Sequence, residues 1–273
     1  MDPVADVLHS LMTSVADPIS GGRHKVFGSV PPSIVPPTST IASHLPRAVG
    51  LAFALERARR IGVRTAYPAD AVVVTSLGDA SVNHSTAQGA LNAAGRLTHR
   101  RVPLPLLVVV EDNGLGISVR TPPGWLEATL GGRPGPTYLS DDGTDPAALL
   151  RTTREAAELV RRERRPVVLH LRTVRLMGHA GSDVEMAYRT AAEIQADEAR
   201  DPVEATALGA AGRGRPGRGG ARGAARRRPQ SGAADAGGSP PGPAAEHGGR
   251  GHASAGRAPT GPGAGGGSRP CRA

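Results

Sequence analysis

The sequence predicts an α/β protein built on a parallel sheet with helices on both faces. Two apolar runs, residues 71–77 and 104–110, do not alternate with polar residues, which is typical of strands covered on both sides. Between them, small apolar residues recur at helical spacing: Ala87, Ala90, Leu91 and Ala94. A strand, a helix and a strand in this order form a right-handed crossover, so both strands should end at the same edge of one sheet.

The neighbouring segments extend this α/β pattern. An amphipathic helix is predicted within residues 39–61, and a short amphipathic segment within residues 1–19 should end at Pro18. Asp145 followed by proline is a helix start, and the helix it begins leads to a third buried strand from Pro166 to Arg172. Residues 121–145 are rich in turn-forming residues and are predicted as a loop.

Polar residues follow the first two predicted strands. Asp79 comes after Gly78 at the end of the first strand, and Asn113 follows the second. Carboxylate, amide and backbone carbonyl oxygens are hard ligands that suit Mg²⁺ or Ca²⁺ carrying a diphosphate. Ala80 and Ser81 are small enough for the backbone to approach phosphates, and the helix that follows would direct its positive end at them.

The positive charge of the chain is concentrated near its C-terminus. The formal charge is +9, but residues 209–273 hold 11 arginines against two acids, and residues 1–208 balance 22 basic against 22 acidic groups. The last 65 residues contain no Leu, Ile, Val, Phe, Tyr or Trp, so they cannot form a core and should be disordered. We therefore expect a domain at 1–208 and a disordered Gly/Ala/Arg/Pro-rich tail at 209–273.

Cysteine content and hydropathy bear on the compartment. Cys271 is the single cysteine, which excludes an intrachain disulfide. Residues 106–110 and their neighbours form the longest apolar run, far short of a membrane span, and no basic segment precedes an apolar stretch at the start. We expect a cytoplasmic protein without a membrane partner.

The motif Gly78-Asp79-Ala80 followed by Asn113 resembles the thiamine diphosphate motif, and the surrounding string GDASVNHSTAQGALNAA resembles the α-type subunit of 2-oxo acid dehydrogenase decarboxylase components. Ala80 replaces the last glycine of that motif, and the spacing to Asn113 is a few residues longer than usual. The resemblance implies a thiamine diphosphate-binding fold. It also implies that Asp79, Asn113 and the carbonyl of Leu115 bind Mg²⁺.

Two further segments carry the resemblance. The string STIASHLP is similar to the family segment that holds the aminopyrimidine ring, which implies backbone contacts from Ser39 and Ile41. The string RTVRLMGHAGSD resembles a mobile family loop, which implies that Arg175 binds the diphosphate and that His179 lies over the reacting centre. Gly21 to His24 resembles a glycine-containing loop close to the cofactor.

The resemblance implies oxidative decarboxylation of a 2-oxo acid, pyruvate or a branched-chain one, with the coenzyme as electron sink and acyl transfer to lipoamide. The implied partners are a β-type subunit, which supplies the glutamate that activates the coenzyme and would complete a heterotetramer, and a lipoyl acyltransferase. The chain should be inactive without the β-type partner. The family's usual N-terminal segment would be missing here.

Other interpretations stay open. The chain would be a catalytically inactive fragment of such a subunit if the missing segments prevent function. The arginine-glycine tail fits a single-stranded nucleic-acid arm in charge, but it lacks the aromatic residues on which bases stack. A nucleotide-binding dehydrogenase is disfavoured because no Gly-x-Gly-x-x-Gly follows a predicted strand.

Overall fold

The computed structural model describes residues 2–210 of the chain. The helices are α1 (Pro3–Leu11), α2 (His44–Arg60), α3 (Ser85–His99), α4 (Trp125–Gly131), α5 (Pro146–Glu163), α6 (Ala191–Glu198) and α7 (Pro202–Ala210). The strands are β1 (Val73–Gly78), β2 (Leu106–Asp112), β3 (Leu115–Gly116), β4 (Val119–Arg120), β5 (Thr137–Asp142) and β6 (Val167–Arg172). The predicted tail lies outside the described residues from position 211 onward.

The main sheet has four parallel strands in the order β1-β2-β6-β5. The register pairs Gly78 with Glu111 and Asp112 with Arg172, so the carboxyl ends of the strands align. Strands β3 and β4 form a separate antiparallel pair directly after β2. The predicted common edge for the ends of β1 and β2 is confirmed.

Alternate residues of the strands face two different hydrophobic cores. On β2, Leu106, Val108 and Val110 pack with residues of α2, α3 and α4 on one face. Leu107 of the same strand packs with residues of α5 on the other face. Because the side-chain period of a strand is two residues, this division places helices on both faces of the sheet, as predicted.

Several predicted boundaries were wrong. Residues 121–145 are not only loop, because they contain α4 and the edge strand β5. The first helix ends at Leu11, well before Pro18, and its cap at Met12 donates to the Leu8 carbonyl. The predicted start of α5 is confirmed, with the Asp145 side chain accepting hydrogen bonds from the amides of Ala147 and Ala148.

A buried ion pair joins α2 to the end of α5. It lies near the amino ends of the strands, at the opposite edge of the sheet from their carboxyl ends. Glu56 is 2% exposed, and its Oε1 accepts a hydrogen bond of 2.6 Å from Nε of Arg164. Nη1 of Arg164 also donates to the carbonyls of Asp70 and Ala71 just before β1. Arg164 therefore connects three segments of the fold through one side chain.

No helix within residues 2–210 is long and apolar enough to cross a lipid bilayer.

Candidate functional site

The candidate site begins where β1 and β2 end side by side. The amide of Asp79 donates to the Glu111 carbonyl over 3.1 Å, which extends the parallel pairing one residue beyond Gly78. Asp79 is 2% exposed, whereas Ala80 beside it is exposed. A carboxylate is thus held nearly out of water directly under an open backbone segment.

The carboxylate of Asp79 faces the loop that follows β2. Its Oδ2 accepts a hydrogen bond from the Thr121 hydroxyl. The Thr121 amide donates to the Gly114 carbonyl over 2.9 Å. Through Thr121, the acid from the first strand and the loop from the second strand are therefore brought together at one edge.

The same loop carries the other two predicted metal ligands. Oδ1 of Asn113 accepts a 3.0 Å hydrogen bond from the amide of Leu115, which forms a tight local turn. Gly114 occupies the centre of this turn at φ +75°, a left-handed conformation that favours glycine. The turn thus fixes where the Asn113 side chain and the Leu115 carbonyl lie relative to β2.

The structure explains how alanine fits at position 80, where the thiamine diphosphate motif has glycine. A Cβ atom added to Gly116 would lie 2.5 Å from the Cβ of Ala80, closer than real side chains approach. The two backbone segments can therefore pack together because only one of the two positions carries a side chain. A glycine on the opposing segment compensates for the alanine at position 80.

The segment after Asp79 differs from the prediction of a continuous helix. Residues Ala80–Asn83 form a single 3₁₀ turn, and α3 begins only at Ser85 after an extended His84. Nδ1 of His84 accepts from the Thr86 amide and so caps α3. Ser81, predicted to contact the cofactor, lies in the turn. Asn83 accepts a 2.8 Å hydrogen bond from the indole of Trp125, the only tryptophan.

Arg175 lies beside the loop that contains Asn113. Its Nη1 donates to the Ile117 carbonyl over 2.7 Å, and its Nη2 donates to the Tyr188 hydroxyl over 2.6 Å and to Glu185. Its Nε is buried and finds no hydrogen-bond partner within the described part of the chain. The guanidinium is therefore anchored next to the candidate site by its two Nη nitrogens, and its Nε–H is unused.

His179 lies in the same segment as Arg175 and is exposed. Its backbone amide donates to Asp183 Oδ2 over 2.7 Å, and the Tyr188 hydroxyl donates to the same oxygen. The hydrogen bond from Tyr188, followed by that from the His179 amide, lowers the pKa of Asp183. These contacts fix the backbone of His179 and leave its imidazole directed by no hydrogen bond among residues 2–210.

Ser39 and Ile41 are both exposed. The Ser39 hydroxyl lies 3.5 Å from Nε2 of His24, which brings the two predicted cofactor loops together. Among the described residues, no hydrogen bond joins Ser39 or Ile41 to the edge that holds Asp79. Ser39 and Asp79 therefore belong to two separate hydrogen-bond networks, one with His24 and one with Thr121.

The prediction from sequence missed several residues of this edge. Asp112 accepts from the Gly114 amide with Oδ1 and lies 2.9 Å from Nε2 of the buried His170 with Oδ2. The His170 hydrogen bond is the largest influence on Asp112 and holds its pKa below the ordinary value, against the opposing effect of burial. Asp112 could have been predicted because it directly precedes Asn113 in the sequence. Thr121 in its loop and His170 in its strand belong to no local motif that would have identified them.

The donor set around Asp79 is oxygen-rich but small. No group of three or more His, Cys, Asp and Glu side chains that would hold a metal occurs within residues 2–210. Such an edge suits a hard cation that takes one or two protein ligands and completes its shell with phosphate oxygens and water. Fold and edge together define a parallel α/β protein with a candidate site for a divalent cation and an anionic ligand.

Comparison with known proteins identifies the family. The family model described as "Dehydrogenase E1 component" matches residues 2–208, so the chain belongs to the dehydrogenase E1 component family. That family depends on thiamine diphosphate.

The chain is similar to 2-oxoisovalerate dehydrogenase alpha subunits. It is 31% identical to subunit alpha 2, mitochondrial, of Arabidopsis thaliana over 61% of this chain and 33% of that protein. It is 28% identical to subunit alpha of Bacillus subtilis over 72% of this chain and 57% of that protein. The chain thus spans between about a third and just under three fifths of the length of these curated relatives. Among solved structures, transketolase from Leishmania mexicana aligns with a TM-score of 0.40 and 20% identity, over 63% of this chain and 26% of that one.

Proposed function

We propose that this chain binds Mg²⁺ and thiamine diphosphate as the α-type half of a decarboxylase that acts oxidatively on a branched-chain 2-oxo acid. The observation that carries the proposal is the shared edge at which the buried Asp79 meets the Asn113 to Leu115 turn through Thr121. The names of the 2-oxoisovalerate dehydrogenase relatives favour a branched-chain substrate over pyruvate.

The residues present fit a metal-bound diphosphate. Asp79 supplies a carboxylate, Asn113 an amide oxygen and Leu115 a backbone carbonyl, and all three are hard oxygen ligands. The guanidinium of Arg175, which is held beside the turn by the Ile117 carbonyl, supplies a positive charge suited to a diphosphate. Nothing lies within 4 Å of a Cβ added to Gly114, so space exists beside the turn.

The bound coenzyme would supply the electron sink for loss of CO₂ from the 2-oxo acid. Asp79, Asn113 and Leu115 would hold the metal, and Arg175 would neutralise negative charge on the diphosphate. His179, on the exposed part of the same segment as Arg175, would hold or donate a proton near the reacting centre. Ser39 and Ile41 would contact the ring at the other end of the coenzyme.

A β-type subunit and a lipoyl acyltransferase are the proposed partners, because the activity needs an activating glutamate and an acyl acceptor that we do not assign to this chain. We further propose a heterotetramer with the β-type subunit, located in the cytoplasm. Only residues 1–208 are required for these roles in the proposal, since the site residues run from Ser39 to His179.

The proposal is tested by a decarboxylation assay with branched-chain 2-oxo acids. The chain co-expressed with the β-type subunit of the same organism should release CO₂ in the presence of Mg²⁺, thiamine diphosphate and a lipoylated acyltransferase as acyl acceptor, and either chain alone should not. Removal of Mg²⁺ with a chelator should abolish the activity because the diphosphate loses its anchor. Pyruvate serves as the comparison substrate.

The competing proposal is a catalytically inactive fragment of such a subunit. The same assay separates the two. Activity that requires both chains supports the enzyme subunit. Absence of turnover with and without the β-type partner supports the inactive fragment, and absence of coenzyme binding contradicts the enzyme subunit.

A further inference from the structure

A line of three hydrogen-bonded side chains crosses the sheet beneath the candidate site. Tyr138 on β5, His170 on β6 and Asp112 at the end of β2 lie on three adjacent strands. The Tyr138 hydroxyl lies 2.7 Å from Nδ1 of His170, and Nε2 of His170 lies 2.9 Å from Oδ2 of Asp112. His170 is 0% exposed and Tyr138 is 8% exposed, so neither side chain exchanges freely with water.

An ionised Asp112 and a neutral His170 give one consistent set of directions for these hydrogen bonds. An ionised carboxylate only accepts, so Nε2 of His170 must carry the proton that faces Asp112. In a neutral imidazole Nδ1 is then an acceptor, and the Tyr138 hydroxyl donates to it. Burial raises the pKa of Tyr138 to about 12, so this hydroxyl keeps its proton at neutral pH.

The line ends on the turn that carries two proposed metal ligands. Asp112 uses its second oxygen, Oδ1, to accept the Gly114 amide over 3.0 Å. Its backbone carbonyl accepts the Thr173 amide over 2.7 Å. Asp112 is therefore held by β6 on one side and holds the turn from Asn113 to Leu115 on the other. Without a donor at position 170, the Asp112 carboxylate is free to rotate away from Gly114.

We propose that His170 is a positioning residue for the metal-diphosphate site, which it orients through Asp112 and the turn at Gly114, with Tyr138 fixing its ring. This inference rests on the proposed function, because it assigns the turn to Mg²⁺ binding. Residues that orient metal ligands without touching the metal are generally needed for full affinity. His170 itself, buried inside the sheet, contacts no ligand.

The test compares Mg²⁺-dependent binding of thiamine diphosphate by calorimetric titration. The full chain is used alone and co-expressed with the β-type subunit, as wild type and as His170→Leu, His170→Gln and Tyr138→Phe. His170→Leu should weaken binding about 10–100-fold, the range for loss of a group that orients a metal ligand. His170→Gln should restore most of the affinity because its amide donates to Asp112 and accepts from Tyr138. Tyr138→Phe should weaken binding roughly fivefold, as expected for one lost hydrogen bond.

The binding results for these variants either support or overturn the positioning role of His170. Wild-type affinity in a folded His170→Leu, or equal weakening in His170→Leu and His170→Gln, overturns the positioning role while leaving the proposed function intact. If His170→Leu does not fold, unchanged affinity in Tyr138→Phe overturns it. Failure of the wild-type chain to bind with and without the β-type subunit overturns the proposed function and this inference with it. Thermal melting of every variant separates loss of the fold from loss of binding.

Discussion

Replacing Asp79 by alanine is expected to abolish Mg²⁺-dependent binding of thiamine diphosphate. Asp79 supplies the only carboxylate among the three proposed ligands, and it is almost fully buried where β1 meets the loop after β2. Removing a group that only orients a ligand already costs about 10–100-fold in metal affinity, so loss of the charged ligand itself should cost at least about 100-fold. Titration of the coenzyme at saturating and at chelated Mg²⁺ measures the effect.

Glu111→Gln is the matched control for this experiment. Glu111 pairs with Gly78 in the sheet register and is exposed. The substitution therefore removes a negative charge from the same edge without removing a proposed ligand. The affinity of the Glu111→Gln variant for thiamine diphosphate should stay within about twofold of wild type, because exposed charges are screened by water and salt. Equal losses in Asp79→Ala and Glu111→Gln would show that the general negative charge of the edge matters rather than coordination by Asp79.

Replacing Glu56 by glutamine should destabilise the fold by about 3 kcal/mol, because breaking one side of a buried ion pair leaves the other charge uncompensated. Glu56 is 2% exposed, and Arg164 is bound to it through two nitrogens while also tethering the segment before β1. In a domain of this size such a loss lowers the melting temperature by roughly 6–12 °C. Thermal melting followed by circular dichroism measures it.

The pH dependence of stability provides a second measurement of the same pair. Burial alone would raise the pKa of Glu56, but the hydrogen bonds from Arg164 and Arg59 outweigh it and leave the pKa below its ordinary value of 4.5. A lowered folded pKa contributes stability that is present above pH 4.5 and is lost as pH falls through the folded pKa. Glu56→Gln should therefore show a smaller decline in stability with acid than the wild type.

Glu158→Gln is the control for Glu56→Gln. Glu158 pairs with Arg162 one helical turn away, and both side chains are mostly exposed. An exposed pair of this kind contributes about 0.3 kcal/mol. A loss in Glu56→Gln no larger than that in Glu158→Gln would contradict the structural role assigned to the buried pair.

The edge of the sheet could be predicted because it depends on local patterns. Apolar runs that end abruptly at Asp79 and near Asn113 specify parallel strands, and parallel strands place their carboxyl ends together. The start of α5 was equally local, since Asp145 before a proline forms the cap by itself. The strand β5 was missed because its six residues follow a Gly/Pro-rich stretch and are indistinguishable from a loop by composition.

The side chains behind the edge could not be predicted for a different reason. His170 stands inside an apolar strand, where a single histidine carries no local signature, and its partners Tyr138 and Asp112 are 32 and 58 positions away. Thr121 reaches Asp79 across 42 positions. The compensation between Ala80 and Gly116 likewise depends on two backbone segments meeting in space. Such pairings follow from the strand order, which the sequence pattern alone does not determine.

The most direct measurement of the central claim is a crystal structure with thiamine diphosphate and Mn²⁺, in which anomalous scattering locates the metal in place of Mg²⁺. We predict one metal peak within coordinating distance of an Asp79 carboxylate oxygen, the Asn113 amide oxygen and the Leu115 carbonyl, with diphosphate oxygens completing its shell. A metal-coenzyme complex bound elsewhere, or coordinated without Asp79, would contradict the assignment of this sheet edge.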